Sequence, residues 1–159
     1  MRVMSIAVFD VDGVVADVRH RLHHLHSRHE RWSAFFDEAD ADPLLLEGAR
    51  LVADLAGEHE IVWLTGRPEY IRDVTVDWFE RHGLPADELY MRQYHDYRPA
   101  ALYKLDVLRD LRHREVAAFV DDDDTVIATA LADGFPAVLA DWVPRGSDLR
   151  RAQDKLGRT

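Results

Sequence analysis

Acidic and hydroxyl-bearing residues follow three separate apolar runs of this sequence. The segment DVDG (10–13) follows the first run, TGR (65–67) the second, and DD (121–122) the third. Carboxylate oxygens are the ligands that Mg²⁺ prefers, and a carboxylate can also act as a nucleophile or move a proton. A threonine hydroxyl, a glycine backbone and an arginine fork are groups that bind phosphate. If these residues lie together, they favour metal-assisted phosphate chemistry.

Alternating strands and helices position these residues. Five apolar runs are predicted as strands: 4–9, 60–64, 89–92, 116–120 and 136–140. The predicted helices are segments within 17–39, a helix from Pro43 to Gly57 with Asp42 as its N-cap, and helices over 68–83, 99–113 and 125–134. This alternation predicts a three-layer, Rossmann-like α/β fold in which helices flank a parallel sheet. Since ligands bind beyond the carboxyl ends of such strands, the three polar clusters should meet at one edge.

Lys104 lies on the apolar side of a predicted helix. Its apolar neighbours at helical spacing are Ala100, Ala101, Val107, Leu108 and Leu111. Burial of an unpaired ammonium group is costly, so we expect carboxylates at the sheet edge to be its partners, with extension to solvent as the alternative. Each polar feature alone also has a structural interpretation as a turn, a helix cap or a complement to a helix dipole. Their combination at successive strand ends favours a functional site.

The composition is that of one ordinary domain. The chain has 159 residues, 47% of them hydrophobic, and we expect one domain over 1–159, with a small helical insert at 13–42 and a polar tail at 145–159.

A net charge of −10 argues against sequence-blind binding to nucleic acid, although the basic stretch at 19–31 is compatible with a local groove. There is no cysteine, no secretory signal and no apolar run near the ~20 residues of a membrane span, which predicts a cytoplasmic protein.

Four motifs in order resemble the haloacid-dehalogenase-like (HAD) phosphohydrolase superfamily: FDVDGV, LTGR, Lys104 and VDD. The resemblance runs from the first predicted strand to the last. It implies a Mg²⁺-dependent phosphomonoester hydrolase that forms an aspartyl phosphate on Asp10 and uses Asp12 as general acid and base. The phosphate-binding residues that it implies are Thr65, Gly66, Arg67 and Lys104. The implied metal ligands are Asp10, Asp12 through its main-chain carbonyl, Asp121 and Asp122.

Within that superfamily the chain is similar to phage-type phosphatases, such as the 3′-phosphatase domain of bacteriophage polynucleotide kinase. The similar stretches are RHRLHHL, WxxFF, LTGRPEYIRDVTVDWFERHG and DYRP. The chain departs from these phosphatases at Asp123, where they tend to have arginine, and an acidic residue weakens attraction to a polyanion. Neither the insert nor the segment between Gly83 and Lys104 is long enough for a large cap domain. We therefore expect a site that is open to a bulky substrate or is covered by another subunit.

The insert is rich in histidine: His20, His23, His24, His26 and His29. His20 and His24 have the i, i+4 spacing of helical metal ligands, but no carboxylate or cysteine partner is evident in the sequence. A solvated, weakly cationic face is the simpler interpretation. Substrate contact through Arg19, Arg21 and the histidines is the alternative.

Three aromatic residues follow the histidines at helical spacing. Trp32, Phe35 and Phe36 are typical of a helix that packs into a core, and stacking on a nucleobase is the alternative. Arg92 and Arg98 are further candidates for substrate contact near the sheet edge.

The nearest alternative function is that of a nucleotidase or another phosphatase of small metabolites. A phospho-receiver domain also combines acidic residues, threonine and lysine, but its acidic pair is contiguous after the first strand and its lysine follows a late strand. A non-catalytic phosphate-binding module has no need of a general acid such as Asp12. The sequence therefore favours a phosphatase whose substrate is a nucleic-acid end or a nucleotide.

Overall fold

Five parallel strands form one sheet in a computed structural model that describes residues 3–26, 31–144, 146 and 150. The strands are β1 Ile6–Phe9, β2 Glu60–Pro68, β3 Leu89–Arg92, β4 Val116–Asp121 and β5 Ala137–Leu139. Their order across the sheet is β3-β2-β1-β4-β5. The predicted parallel α/β sheet is confirmed. His29 and most of the predicted polar tail lie outside the described residues.

Helices cover both faces of the sheet. The α-helices are α1 Trp32–Asp37, α2 Leu46–Ala56, α3 Arg72–Arg81, α4 Ala100–Leu111 and α5 Asp124–Ala132. One core contains Phe9 and Trp63 together with side chains of α1, α2 and α3. The other contains Val8 and Leu64 together with side chains of α4 and α5. Because successive strand residues point to opposite faces, each central strand contributes to both cores, and the predicted three-layer arrangement is confirmed.

The central strand β1 brings the polar clusters side by side. Phe9 lies in register with Trp63 of β2 and with Val120 of β4. The next residue, Asp10, donates its backbone N–H to the carbonyl of Val120 at 2.9 Å. Asp121 is the last residue of β4, and 65–67 lie just beyond Trp63 in β2. The clusters therefore meet at one edge of the sheet, as the sequence predicted.

The helix predicted over 68–83 begins later than expected. Pro68 is extended, with φ −72° and ψ 148°, and pairs with Arg92 as part of β2. A 3₁₀ turn at Glu69–Ile71 follows, and α3 begins only at Arg72. Proline fixes φ at a value that suits either a helix start or a strand, and pairing with β3 selects the strand here.

The prediction that Asp42 caps a helix starting at Pro43 was wrong. α2 begins at Leu46, and the Asp42 side chain is buried against arginines. The insert is also less helical than predicted. It has 3₁₀ helices at Arg19–Leu25 and Ala39–Ala41, with the six-residue α1 between them.

Gly48 lets α2 approach the loop that follows β1. A Cβ atom at this position would overlap the carbonyl oxygen of Val14. That oxygen also accepts a hydrogen bond from Trp142 Nε1 at 3.0 Å. The close approach therefore helps to fix the loop that carries Asp10 and Asp12.

We expect Gly48→Ala to lower the free energy of unfolding by about 1–3 kcal/mol, because an added methyl group in a packed region forces the backbone to shift. Urea unfolding measures the change. Gly57→Ala is a matched control at the other end of α2, where φ is −70° and the nearest non-neighbouring atom lies 3.9 Å from the added carbon. The control should be neutral or slightly stabilising. Equal losses in the two variants would contradict this account of Gly48.

Candidate active site

Three buried carboxylates form the centre of the site. Asp10 follows β1, Asp121 ends β4, and Asp122 is the next residue; their exposed fractions are 0%, 0% and 4%. Each offers an oxygen atom, and these atoms lie within 4.8 Å of one another. Both carboxylate oxygens of Asp10 are buried and accept no hydrogen bond within the part of the chain that the structure describes. A cluster of this kind is unfavourable unless a cation compensates it.

Lys104 enters the carboxylate cluster from α4. Its Nζ lies 2.6 Å from Asp121 Oδ2 and 3.3 Å from Asp10 Oδ1, and the side chain is buried. The inward orientation and the carboxylate partners predicted from helical spacing are therefore observed. Three carboxylates against one ammonium group leave two negative charges in excess. That excess is the charge of one divalent cation.

Asp12 belongs to a separate, balanced ion network. Its Oδ1 accepts hydrogen bonds from Arg67 Nε at 2.9 Å, Arg67 Nη2 at 2.6 Å and Arg21 Nη2 at 3.3 Å. Asp42 accepts from Arg21 Nε at 2.8 Å and from Arg67 Nη2 at 2.9 Å. Two carboxylates thus face two guanidinium groups, and all four side chains are buried. His20 Nε2 joins the network at its solvent side, 2.6 Å from Asp42 Oδ1.

Arg67 is therefore placed differently from the expectation that it offers a fork to phosphate. It is fully buried, and its hydrogen bonds go to Asp12, Asp42 and Thr75 Oγ1. Its backbone N–H donates to Thr65 Oγ1 at 3.1 Å, so the threonine side chain is held against the last residues of β2. Arg67 orients Asp12 instead of facing the sheet edge.

Sequence reasoning missed the role of Arg21 and Asp42 in this network. Arg21 was placed in a basic stretch as an alternative substrate contact, but its side chain is fully buried against Asp12 and Asp42. Asp42 was interpreted as a helix cap. Arg21 lies in the RHRLHHL stretch that carries the family resemblance, but nothing in the sequence indicates its pairing with Asp42, which is 21 positions away. The available clue was the apolar pattern around Arg21, because Leu22 and Leu25 indicate a segment that packs inward.

The carboxylate cluster and the ion network shift the pKa values of Asp10 and Asp12 in opposite directions. Burial and the neighbouring Asp121 charge raise the pKa of Asp10 well above its ordinary value, and Lys104 offsets this only in part. Burial also acts to raise the pKa of Asp12, but the charges of Arg67 and Arg21 outweigh it and lower that pKa. The surroundings therefore favour the ionised form of Asp12 and disfavour that of Asp10, so added positive charge near Asp10 favours its ionisation.

Gly13 brings the turn after β1 against Asp122. Its φ is +78°, which favours glycine, and a Cβ atom there would overlap the Asp122 carboxylate. The glycine of the DVDG segment thus has a steric function, because it lets Asp122 approach the backbone that carries Asp10 and Asp12.

The remaining aspartates of the DDDD run have separate roles. The side chain of Asp123 accepts hydrogen bonds from the backbone N–H groups of Thr125 and Val126, so it is the N-cap of α5. Asp124 is the first residue of that helix and lies at the surface. Both residues therefore lie at the start of α5, one residue before the helix predicted over 125–134. The Asp123 charge is used within the fold, where it stabilises the helix end.

The cluster of Asp10, Asp121 and Asp122 fits a small divalent cation. All its donors are oxygen atoms, which Mg²⁺ prefers over nitrogen or sulfur. The Asp10 oxygens are buried without hydrogen-bond donors among the described residues, and the charge excess matches the ion. These three observations, made on the protein alone, favour Mg²⁺.

The histidines of the insert are arranged differently from the predicted i, i+4 pair. His20 contacts Asp42, whereas His24 Nε2 lies 3.0 Å from Glu38 Oε1. A carboxylate partner for His24 therefore exists, contrary to the sequence analysis. His23, His24 and Glu38 lie close enough to share an ion, but they are half-buried or exposed. The contact between His24 and Glu38 accounts for the grouping of these three side chains without a metal ion.

The core interpretation of the aromatic residues is confirmed. Trp32, Phe35 and Phe36 have exposed fractions of 8%, 0% and 3%. The Trp32 and Phe36 rings are stacked with their centroids 5.7 Å apart. Arg21 lies over the Phe35 ring at 4.1 Å, so this core contacts the ion network directly.

A family model described as the phosphatase domain of polynucleotide kinase PNKP, within the HAD group, matches residues 4–137. The chain belongs to this family. It is a HAD-type phosphatase, that is, a phosphomonoester hydrolase.

Within the described residues, no helix is both long and apolar enough to cross a membrane.

Solved structures agree with this fold. The chain is similar to one protein in a Pnkp1/Rnl/Hen1 complex, with a TM-score of 0.70, 21% identity, and coverage of 86% of this chain and 46% of that one. A HAD-like hydrolase of Streptococcus pneumoniae gives a TM-score of 0.62 at 15% identity, over 97% of this chain and 93% of that one. A class C acid phosphatase of Bacillus anthracis gives 0.63 at 12% identity, over 94% and 71%.

A curated protein of Halalkalibacterium halodurans, provisionally assigned as a nucleotidase, is 29% identical over 84 residues. The match covers 53% of this chain and 38% of that protein. The chain thus spans less than half the length of this relative and of the Pnkp1 chain.

Asp42→Asn is expected to lower the free energy of unfolding by about 3–5 kcal/mol, because it leaves two buried arginines with one charged partner. Guanidinium unfolding measures the loss. Asp133→Asn is the control, since Asp133 also binds two arginines, Arg109 and Arg112, but does so at the surface. Its replacement should change stability little. A similar loss of unfolding free energy in both variants would show that burial of the network does not determine how much Asp42 stabilises the fold.

Proposed function

We propose that this chain is a Mg²⁺-dependent phosphatase that removes phosphate from nucleic-acid 3′ ends through an aspartyl-phosphate intermediate. The observation that carries the proposal is the buried cluster of Asp10, Asp121 and Asp122, whose carboxyl groups outnumber the Lys104 ammonium group that contacts them and which lies next to Asp12. The residues proposed as metal ligands, nucleophile and proton-transfer group thus lie together at one sheet edge.

Asp10 is proposed as the nucleophile. One of its oxygens attacks phosphorus, a new O–P bond forms, and the bond between phosphorus and the leaving oxygen breaks. Lys104 lies between Asp10 and Asp121 and places positive charge near the phosphate oxygens. The Thr65 hydroxyl donates to another phosphate oxygen, and the Gly66 backbone allows close approach. Bound Mg²⁺, held by Asp10, Asp121, Asp122 and the Asp12 carbonyl, would supply charge that offsets repulsion between nucleophile and phosphate.

Asp12 is proposed to move the protons. It donates a proton to the leaving oxygen, then takes one from the water that attacks the aspartyl phosphate and breaks the O–P bond to Asp10. Its lowered pKa suits the second step. For the first step Asp12 must gain a proton, and an approaching phosphate dianion favours this, because a nearby negative charge raises the pKa of a carboxyl. Arg67 and Arg21 hold the carboxylate in position throughout.

Two observations support a nucleic-acid end as the substrate. The family is that of a polynucleotide kinase phosphatase domain, and one similar structure is part of an RNA repair complex. In addition, the insert at 13–42 packs against the main core through Trp32, Phe35 and Phe36, so no cap domain encloses the described part of the site. An open sheet edge suits the end of a polymer.

A nucleotidase is the second candidate function. It is favoured by the relative from Halalkalibacterium halodurans, whose assignment is that activity. The proposed catalytic groups serve either substrate, because both are phosphomonoesters and differ only in the leaving group.

Phosphate release from a 3′-phosphorylated oligonucleotide and from a panel of nucleoside monophosphates tests the proposal. With Mg²⁺ we expect turnover, with a higher kcat/KM for the oligonucleotide, and with EDTA we expect none. A preference for mononucleotides would support the nucleotidase instead. Absence of metal-dependent release from every substrate would overturn the proposed function.

Asp10→Asn is the matched control for the assay. It keeps the shape of the side chain but removes the nucleophilic charge, so turnover should fall by at least about a thousandfold while the thermal unfolding profile stays cooperative. Turnover that persists in Asp10→Asn would exclude Asp10 as the nucleophile.

Mg²⁺ is expected to raise the Tm of the wild-type chain, because an ion that binds only the folded state stabilises it, by about 2–4 °C for each kcal/mol of binding free energy. Differential scanning calorimetry at constant ionic strength measures the shift. Asp122→Asn should lose most of the shift, whereas Asp124→Asn, two residues along the same acidic run, should keep it. The same shift from NaCl alone, or in Asp122→Asn, would contradict a specific site.

A further inference from the structure

An aromatic pocket of about 240 Å³ opens beside the end of β2, where phosphate is proposed to bind. Gly66 and Pro68 of β2 are among its lining residues, so the pocket adjoins Thr65 and Gly66. Neither the carboxylate cluster nor the ion network lines it. The proposed mechanism therefore leaves this cavity without a role.

Aromatic rings from three different segments line the pocket. Trp32 and Phe36 come from α1, Tyr70 from the 3₁₀ turn after β2, and Tyr94 from the loop after β3. The rings form a continuous series, with centroid distances of 6.4 Å between Phe36 and Tyr70 and 6.5 Å between Tyr70 and Tyr94. Tyr70 and Tyr94 are 55% and 65% exposed. Exposed aromatic rings that meet around a cavity mark a binding surface.

The loop that carries Tyr94 is held in place before any ligand binds. Arg92 Nη1 donates to the carbonyl of Asp96 at 3.2 Å and to that of Arg98 at 2.8 Å, and the Arg98 backbone N–H donates to Asp96 Oδ1 at 3.1 Å. Arg92 is itself packed over the Tyr103 ring at 4.5 Å. A pre-ordered loop reduces the entropy cost of binding.

Polar residues line the same pocket as the aromatic rings. Ser33, Gln93 and Asp96, which carry hydroxyl, amide and carboxylate groups, are among its lining residues. A ligand that matches this wall has a flat apolar face and hydrogen-bonding groups around its edge. A nucleobase has both features, whereas the ring of a phosphotyrosine has no polar edge beyond the phosphate itself.

We propose that this pocket binds the base of the nucleoside whose phosphate is hydrolysed, through stacking on Tyr94 and Tyr70. The inference rests on the proposed function, since it places the base beside the phosphate held at Thr65 and Gly66. The volume suits one ring system, because pockets for larger, drug-sized ligands measure about 300–1,000 Å³. We therefore expect the pocket to hold the terminal base alone and not a run of several bases. Because stacking does not depend on which base is present, the pocket should accept any base.

The test compares two esters that differ in the presence of a base. For adenosine 3′-monophosphate, Tyr94→Ala should lower kcat/KM about tenfold, mainly through KM, in line with the value of one base–aromatic stack. For β-glycerophosphate, which has no ring, the variant should match the wild type. Tyr94→Phe keeps the aromatic face and should restore the nucleotide value. An equal loss on both esters, or no loss on either, would overturn the proposal.

Tyr90→Ala is the matched control. Tyr90 is a partly exposed tyrosine of β3 that does not line the pocket. It should leave the ratio of the two kcat/KM values unchanged. Phosphotyrosine is the third substrate: if Tyr94→Ala impairs it and spares the nucleotide, the pocket takes a peptide aromatic ring and the nucleobase assignment is wrong.

A binding measurement separates failure of this inference from failure of the proposed function. Isothermal titration of adenosine 3′-monophosphate into Asp10→Asn, with and without Tyr94→Ala, needs no turnover. A rise of about tenfold in Kd on loss of Tyr94 supports the pocket even if the wild type hydrolyses none of the esters. An unchanged Kd, or no binding to Asp10→Asn, overturns it even if hydrolysis is observed. An oligonucleotide with a 3′-phosphate, titrated in parallel, shows whether the base comes from a polymer end or a free nucleotide.

Discussion

The crowding of buried carboxylates at one sheet edge is the constraint on which the rest of this structure depends. Asp10, Asp12, Asp121 and Asp122 are each at most 4% exposed, and like charges repel strongly where water is excluded. Parallel strands force this crowding, because their carboxyl ends meet at the same edge. The surrounding elements must therefore deliver cations. Lys104 arrives from α4 on one face of the sheet, and Arg21 and Arg67 arrive from the insert and from β2.

The two groups of cations leave very different charge balances. Arg21 and Arg67 are matched by Asp12 and Asp42, and their planar forks make several hydrogen bonds each, so this half of the site is neutral and rigid. Lys104 contacts Asp10 and Asp121, and with Asp122 beside them the carboxyl groups of this half outnumber the ammonium group. The imbalance is confined to the place where a divalent ion and a phosphate group are proposed to bind. Repulsion between like charges at this place lowers the stability of the fold, and the same charges favour binding of a cation. Active sites commonly combine lower stability with function in this way.

The parts of the site that the sequence predicts are those with a local pattern. Asp10 and Asp121 follow recognisable strands, and Lys104 interrupts an apolar helical stripe. Asp42 has no such pattern, because Asp-Pro before an apolar run is a typical helix start, and only the distant Arg21 and Arg67 override it. Pro68 is similar: proline allows a helix start or a strand, and pairing with Arg92 of β3 decides between them. Ion pairs and strand pairings between distant segments are tertiary facts that periodicity does not encode.

The insert is tied to Asp12, the proposed proton-transfer residue, through Arg21, and this limits how a substrate would reach the site. Arg21 binds Asp12 and Asp42, donates from Nη1 to the carbonyl of Phe35 at 3.1 Å, and lies over the Phe35 ring. One side chain therefore joins the ion network to α1, whose Trp32 and Phe36 form a wall of the aromatic pocket. To swing the insert aside would break buried ion pairs, at a cost of about 3–5 kcal/mol for one lost partner. Under the proposed function, a substrate therefore enters along the open sheet edge, and the insert holds Asp12 in position and does not act as a lid.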